Sequence, residues 1–209
     1  MSVGMVAPIS GGRVVSKVTD WKSLTYVVVD VEGNGQQPPE LVELAIVPII
    51  GGVIDDPVCW MVRPGEPIKY METAIHGIRN DDVADLPPFA EYRDDVLSML
   101  DADAIVAHNA HVDVSVLRRQ LPDWHCPEVF DTLKLARRLM PGHSSYKLGA
   151  LVDALGFGAG LPDGLGPHRA THDALVTAGL FAALVARAGS LDELRQVAGG
   201  GDDEVPTLF

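Results

Sequence analysis

Thr25-Tyr26-Val27-Val28-Val29-Asp30-Val31-Glu32 reads as a β-strand buried on both faces and ending in two carboxylates. From Tyr26 to Val29 the run is aromatic and β-branched, with no polar residue to turn toward water. It therefore belongs inside a sheet. Residues two apart on a strand point the same way, so Asp30 and Glu32 face one spot. With 29 acidic residues in 209, about four such pairs arise by chance. The pair gains meaning from its place, because charges at the end of a buried strand are costly without a ligand.

Outward from this strand, Gly33-Asn-Gly35-Gln-Gln-Pro-Pro39 is a turn. Glu40 to Ile50 reads as a second strand. Gly51-Gly52 makes a tight hairpin into a third, from Val53 to Val62. The chain thus opens with an antiparallel meander. After Pro87-Pro88, apolar residues from Phe89 to Leu100 recur at helical spacing. Ala104 to Ala107 and Glu128 to Phe130 are short central strands, each followed by a helix. Pro141-Gly142 ends the second of these. Lys147 to Leu155 is helical, and a glycine-rich loop (156–167) leads to a long helix from Ala170 to Ala188 and a last one from Leu191 to Ala198. The expected fold is α/β: a mixed five-stranded sheet, antiparallel meander plus parallel strands, flanked by helices. The expected organisation is a lead-in (1–22), one domain (23–198) and an acidic tail (199–209).

Composition sets bounds. Apolar content of 47% with 22% charged residues is ordinary globular usage. No apolar run approaches ~20 residues, so no membrane span is expected, and the N-terminus shows no signal-peptide pattern. Cys59 and Cys126 are far apart, which fits a reducing cytoplasm and gives no structural zinc site. The net charge of −13 argues against a protein that wraps long duplex DNA. The charge is uneven, however. Seven cations fall between Arg118 and Arg169 against five acidic residues. They read as a solvated surface or as a modest phosphate-attracting rim.

Two further polar constellations open helices. His108-Asn109-Ala-His111-Val-Asp113 follows the first short strand, and Pro167-His168-Arg-Ala-Thr-His172-Asp173 opens the long helix. Taken singly, each reads as helix capping: Asn109 as a cap, Asp113 and Asp173 as complements to the helix dipole. His108 and His111 lack a third ligand at zinc-site spacing. Taken together, four carboxylates and a histidine suggest hard-cation binding and hydrolysis of a phosphodiester. Of the two histidines near Asp173, His168 is the expected proton acceptor, and His172 is expected either at the surface or behind the site, supporting a ligand.

In order and spacing these motifs resemble the DnaQ-like family of 3′–5′ exonucleases, the DEDDh branch, which includes the proofreading epsilon subunit of bacterial DNA polymerase III. The family's D-x-E is Asp30 and Glu32. Its H-N-A-x-F-D corresponds to His108 through Asp113, and its H-x4-D to His168 and Asp173. The sister branch has a tyrosine where this chain has Arg169. Ala74-Ile-His76-Gly-Ile78 and Tyr146-Lys-Leu148 match linking signatures, and the resemblance covers about Tyr26 to Ala188. It implies an RNase H-like fold and two Mg²⁺ or Mn²⁺ ions held by Asp30, Glu32, Asp113 and Asp173. It also implies His168 as general base. Substrate contacts are expected from Gly33, Asn34, Gly35, His76, His108 and Asn109. Two departures stand out. Gly33-Asn34-Gly35 replaces the usual threonines after the Glu, and Val112 replaces an aromatic whose stacking on a base is worth ~1–3 kcal/mol.

The expected function is a cytoplasmic 3′–5′ exonuclease acting on single-stranded or short 3′ ends. The alternatives are a hydrolase of very short oligonucleotides or a nucleotide conjugate, and a non-catalytic module of replication or repair. At the end of the tail, Leu208-Phe209 resembles the end of sliding-clamp-binding peptides, so a clamp is an expected partner.

Overall fold

The computed structural model describes residues 20–157 and 165–199. Leu208, Phe209 and most of the lead-in and tail lie outside them. Six strands form one sheet: β1 (Tyr26–Gly33), β2 (Leu41–Ile50), β3 (Val53–Ile54), β4 (Val58–Met61), β5 (Ala104–Ala107) and β6 (Glu128–Asp131). Their order is β3-β2-β1-β5-β6, with β4 also paired to β2. The pairs β1–β2, β2–β3 and β2–β4 are antiparallel, while β1–β5 and β5–β6 are parallel. The meander turns at Gly51 and Gly52, where φ is 59° and 80°, the positive values that a two-residue hairpin of matching twist requires. The expected third strand is split in two, giving six strands rather than five. Asp55-Asp56-Pro57 interrupts it, and Pro57 has no N–H to offer a ladder.

The helices are α1 (Tyr70–His76), α2 (Asn80–Val83), α3 (Arg93–Met99), α4 (His111–Gln120), α5 (Thr132–Leu139), α6 (Leu148–Leu155), α7 (Ala170–Ala188) and α8 (Leu191–Gly199). The sequence reading had no place for α1 and α2, which are short and carry little apolar periodicity. It gave one helix from Phe89, where the chain makes a 3-10 turn (Phe89–Tyr92) that runs into α3. Trp21, expected in the lead-in, packs edge-on against Phe181 of α7 at 6.5 Å. No single helix among the described residues is long and apolar enough to cross a membrane.

The pleat sorts β1 and β2 into two apolar layers. Val27, Val29, Leu44 and Ile46 pack on one face with α3 and α4 residues. Tyr26, Val28, Ala45, Val47 and Ile49 pack on the other, under α7. Helix α7 lies over β1 and β2 with Ala170, Ala174 and Ala178 fully buried, and these small side chains at four-residue spacing let its backbone approach the sheet. The same period of two continues past the apolar layer. Beyond Tyr26 and Val28 come Asp30 and Glu32, and beyond Ile49, Val47 and Ala45 comes Glu43. The layer is thus apolar under the body of α7 and acidic under its N-terminus.

Candidate active site

The parallel strand β5 pairs with β1 only as far as Val28, so the end of β1 has no neighbour on that side. The Val31 N–H donates instead to Asp113 Oδ1 at 3.0 Å. Asp113 sits in the first turn of α4 and is 5% exposed. It lies beneath Asp30 rather than within the outer cluster. That cluster is Asp30, Glu32 and Asp173, each of which offers an oxygen within 4.8 Å of the others. The crowding is electrostatically expensive. Burial raises the Asp30 carboxyl well above its usual range, and the charges of Asp113, Asp173, Glu32 and Glu43 raise it further. Burial, followed by the charge of Asp173, pushes Glu32 up to about 8. Burial pushes Asp113 up to about 7 against its backbone hydrogen bonds. Carboxylates so disposed are the donor set of a hard divalent cation, which would relieve their repulsion.

The N-terminus of α7 supplies Asp173 and is held from below. Arg169, its N-cap residue, offers no side-chain cap of its own. Glu43 of β2, 2% exposed, does the capping: Ala170 N–H donates to Glu43 Oε2 at 2.9 Å. The Arg169 guanidinium grips the same carboxylate through Nε at 3.0 Å and through the second nitrogen at 2.5 Å. The sequence marks Arg169 only as one of seven cations and as the residue in a tyrosine's place, and it does not mark Glu43 at all. The available signal was a glutamate on the core-facing side of an otherwise apolar strand. His168, one residue before Arg169, is exposed and has φ 62°. Its N–H donates to Asp173 Oδ2 at 3.3 Å. His172, expected at the surface or in support of a ligand, is 8% exposed, and its Nδ1 donates to Asp173 Oδ1 at 2.7 Å. Residue 172 lies in the first turn of a helix pressed on the sheet, so its ring turns inward.

The six residues expected to meet substrate divide into two groups. Asn34 is fully buried. Its Nδ2 donates to Glu66 O, and its Oδ1 accepts from the Gln36 and Glu40 N–H groups. His76 is 3% exposed, with Nδ1 accepting from Ile78 N–H and Nε2 donating to Gly33 O. Both tie the Gly33–Gly35 loop to the α1 side of the molecule. Gly35 (φ 74°) packs so closely on Glu72 that a Cβ there would come within 2.5 Å of its side chain. His108 and Asn109, by contrast, line the cavity that opens over Asp30, Asp173 and His168, about 1030 Å³ in volume. Asn109 has φ 68°, a value asparagine tolerates, and its N–H donates to Asp131 Oδ1. Burial lowers the His108 pKa, against the pull of the Tyr146 carbonyl and of the Asp131 and Asp173 charges. The His108 Nε2 donates to Tyr146 O at 3.0 Å, and its Nδ1 lies 3.0 Å from the Thr132 hydroxyl, which also reaches Ala107 O at 3.3 Å.

Comparisons with known proteins identify the family and the fold. A match to the family RNase_T, described as Exonuclease, spans residues 27–181. The chain is 38% identical over 155 residues to Exodeoxyribonuclease 10 of Escherichia coli (strain K12), covering 74% of this chain and 66% of that protein. It is 33% identical over 182 residues to 3′-5′ exonuclease DinG of Bacillus subtilis (strain 168), covering 82% of this chain but only 18% of that one. The chain therefore spans less than two thirds of the length of these relatives. A solved structure, Exonuclease X in complex with 5′ overhanging duplex DNA, superposes with a TM-score of 0.69 at 34% identity, covering 83% of this chain and 99% of that one. The fold is accordingly RNase H-like, as the resemblance implied. The comparisons lend no support to a sliding-clamp partner.

Proposed function

The chain belongs to the RNase_T exonuclease family, and from that premise we propose that it is a metal-dependent 3′–5′ exonuclease that releases nucleoside 5′-monophosphates from DNA 3′ ends. The observation that carries the reading is the convergence of Asp30, Glu32 and Asp173 at one wall of a large cavity, with His168 beside them.

Asp30, Glu32 and Asp173 would hold two Mg²⁺ or Mn²⁺ ions, with Asp113 supporting Asp30 from beneath. When bound, such ions polarise the phosphodiester and stabilise the attacking and leaving oxygens. His168 is exposed on the cavity wall, where its imidazole takes the proton of the attacking water. Its backbone bond to Asp173 keeps base and carboxylate in register. His108 and Asn109 form the floor on which the terminal nucleotide rests.

The test is incubation of the purified protein with Mn²⁺ and a 5′-labelled single-stranded oligonucleotide, with products resolved by length. Stepwise shortening from the 3′ end, abolished by chelator and by Asp30→Asn, is the expected result. Undiminished turnover by a folded Asp30→Asn variant would overturn the reading.

A further inference from the structure

Seven cations crowd the sequence between Arg118 and Arg169, and the structure sorts them by what they touch. Arg169 is spent on Glu43. Arg119 reaches Pro39 O, and Arg138 reaches Val197 O. Arg118 lies on the Cys126 thiol, and Lys134 also has a partner. Two remain. Neither the Arg137 guanidinium nor the Lys147 ammonium has a hydrogen bond or ion pair among the described residues, and both line the cavity over Asp30 and Asp173. Every other arginine among the described residues meets a carboxylate, a carbonyl oxygen or, for Arg118, a thiol. A chain of net charge −13 has carboxylates to spare, so two unmatched cations on one cavity wall call for an anionic partner from outside.

The wall that presents them is fixed. Arg137 projects from the last turn of α5, whose first turn is capped by Asp131. Lys147 is the N-cap residue of α6, and the segment before it is pinned twice. Tyr146 O accepts from His108 Nε2, and the Tyr146 hydroxyl donates to Met140 O at 2.9 Å. Ligand pockets for drug-sized molecules run to about 300–1,000 Å³. A cavity of about 1030 Å³ lies at the top of that range. Its wall brings carboxylates from β1 and α7 (Asp30 and Asp173) together with the two cations of α5 and the start of α6, where Asp153 also lines it.

We propose that Arg137 and Lys147 form a phosphate-binding subsite that grips the substrate strand at phosphodiesters upstream of the scissile bond. The inference rests on the exonuclease reading and adds to it a grip on the polymer that is separate from the metal ligands. Arg137 supplies a planar fork suited to phosphate oxygens, and Lys147 supplies a point charge.

The experiment measures binding of a 5′-fluorescein oligothymidylate by anisotropy in Ca²⁺ across a salt series. It is paired with Mn²⁺-dependent hydrolysis of the same oligonucleotide and of the p-nitrophenyl ester of thymidine 5′-monophosphate, which has no upstream phosphate. Each lost contact should reduce the slope of log affinity against log salt by about 0.7, so Arg137→Gln/Lys147→Gln should lose about 1.4. Affinity should fall roughly tenfold per contact, and the preference for oligonucleotide over ester should fall with it. Arg187→Gln, which removes one charge far along α7, serves as the control for net charge. Equal losses on both substrates would overturn the inference. So would an unchanged slope in the double variant, or the same slope change in Arg187→Gln. A wild-type protein that releases no mononucleotide with Mn²⁺ would overturn the exonuclease reading itself, whereas release with an unchanged slope overturns this subsite alone.

Discussion

His168 and His172 stand four residues apart, one before α7 and one in its first turn, and the fold gives them different surroundings. His168 is exposed on the cavity wall with a left-handed backbone, and His172 is tucked beside the Asp173 carboxylate. Loss of a general base costs about 10²–10⁴-fold, so His168→Ala should lower kcat by that much while Mn²⁺ still binds. A partner that orients a metal-binding carboxylate is worth about 10–100-fold in metal affinity or activity. His172→Ala should therefore raise the Mn²⁺ concentration for half-maximal activity by about that factor. Measuring kcat at saturating Mn²⁺ alongside the Mn²⁺ dependence separates the two, and the reverse pattern would exchange their roles.

At the scale of the element, the decisive join is between β2 and the start of α7. Glu43 caps the helix from the sheet, and Arg169 neutralises Glu43. Arg169→Ala leaves a buried carboxylate beside Asp30 and Glu32 without its cation, a cost of about 1–3 kcal/mol for an unsatisfied buried group. Glu43→Gln keeps the shape, can still accept from Ala170 N–H and removes a charge from the crowd, so it should cost less. Guanidinium denaturation in chelator checks the order of the two variants. Arg169→Lys should restore only part of the loss, because an ammonium lacks the two-pronged geometry. Because α7's first turn carries Asp173 and follows His168, the loss of Arg169 should lower kcat as well as stability.

Across the whole molecule, the acidic cluster ties stability to pH and metal. Glu32 and Asp113 titrate at about 8 and about 7 in the fold, above their ordinary values of 4.5 and 3.8. The folded chain therefore holds protons that the unfolded chain has released. Without metal, stability falls as pH rises from about 4 through about 8, and the full cost is present above that range. In chelator the Tm should decrease from about pH 5 to about pH 8, and added Mn²⁺ should raise it most at the alkaline end, where the carboxylates are free to bind. A Tm increment from Mn²⁺ that shrinks with pH would contradict this account.

The sequence by itself determined the elements and the residues with reactive groups. A β-branched run ending in Asp30 and Glu32 has one sensible place in a sheet, and helical spacing marked α7 within its observed bounds. These are local signals, written in periods of two and 3.6. Only the tertiary structure decided which polar residues share a space. Asn34 and His76 look like binding residues in the chain, but the fold spends every hydrogen-bonding group of their side chains on its own loops. Glu43 and Arg169 are 126 residues apart and carry no motif of their own, yet they meet under the start of α7. Burial and partnership are set by which face of which element comes to rest on another. Sequence periodicity gives the face, and packing alone gives the neighbour.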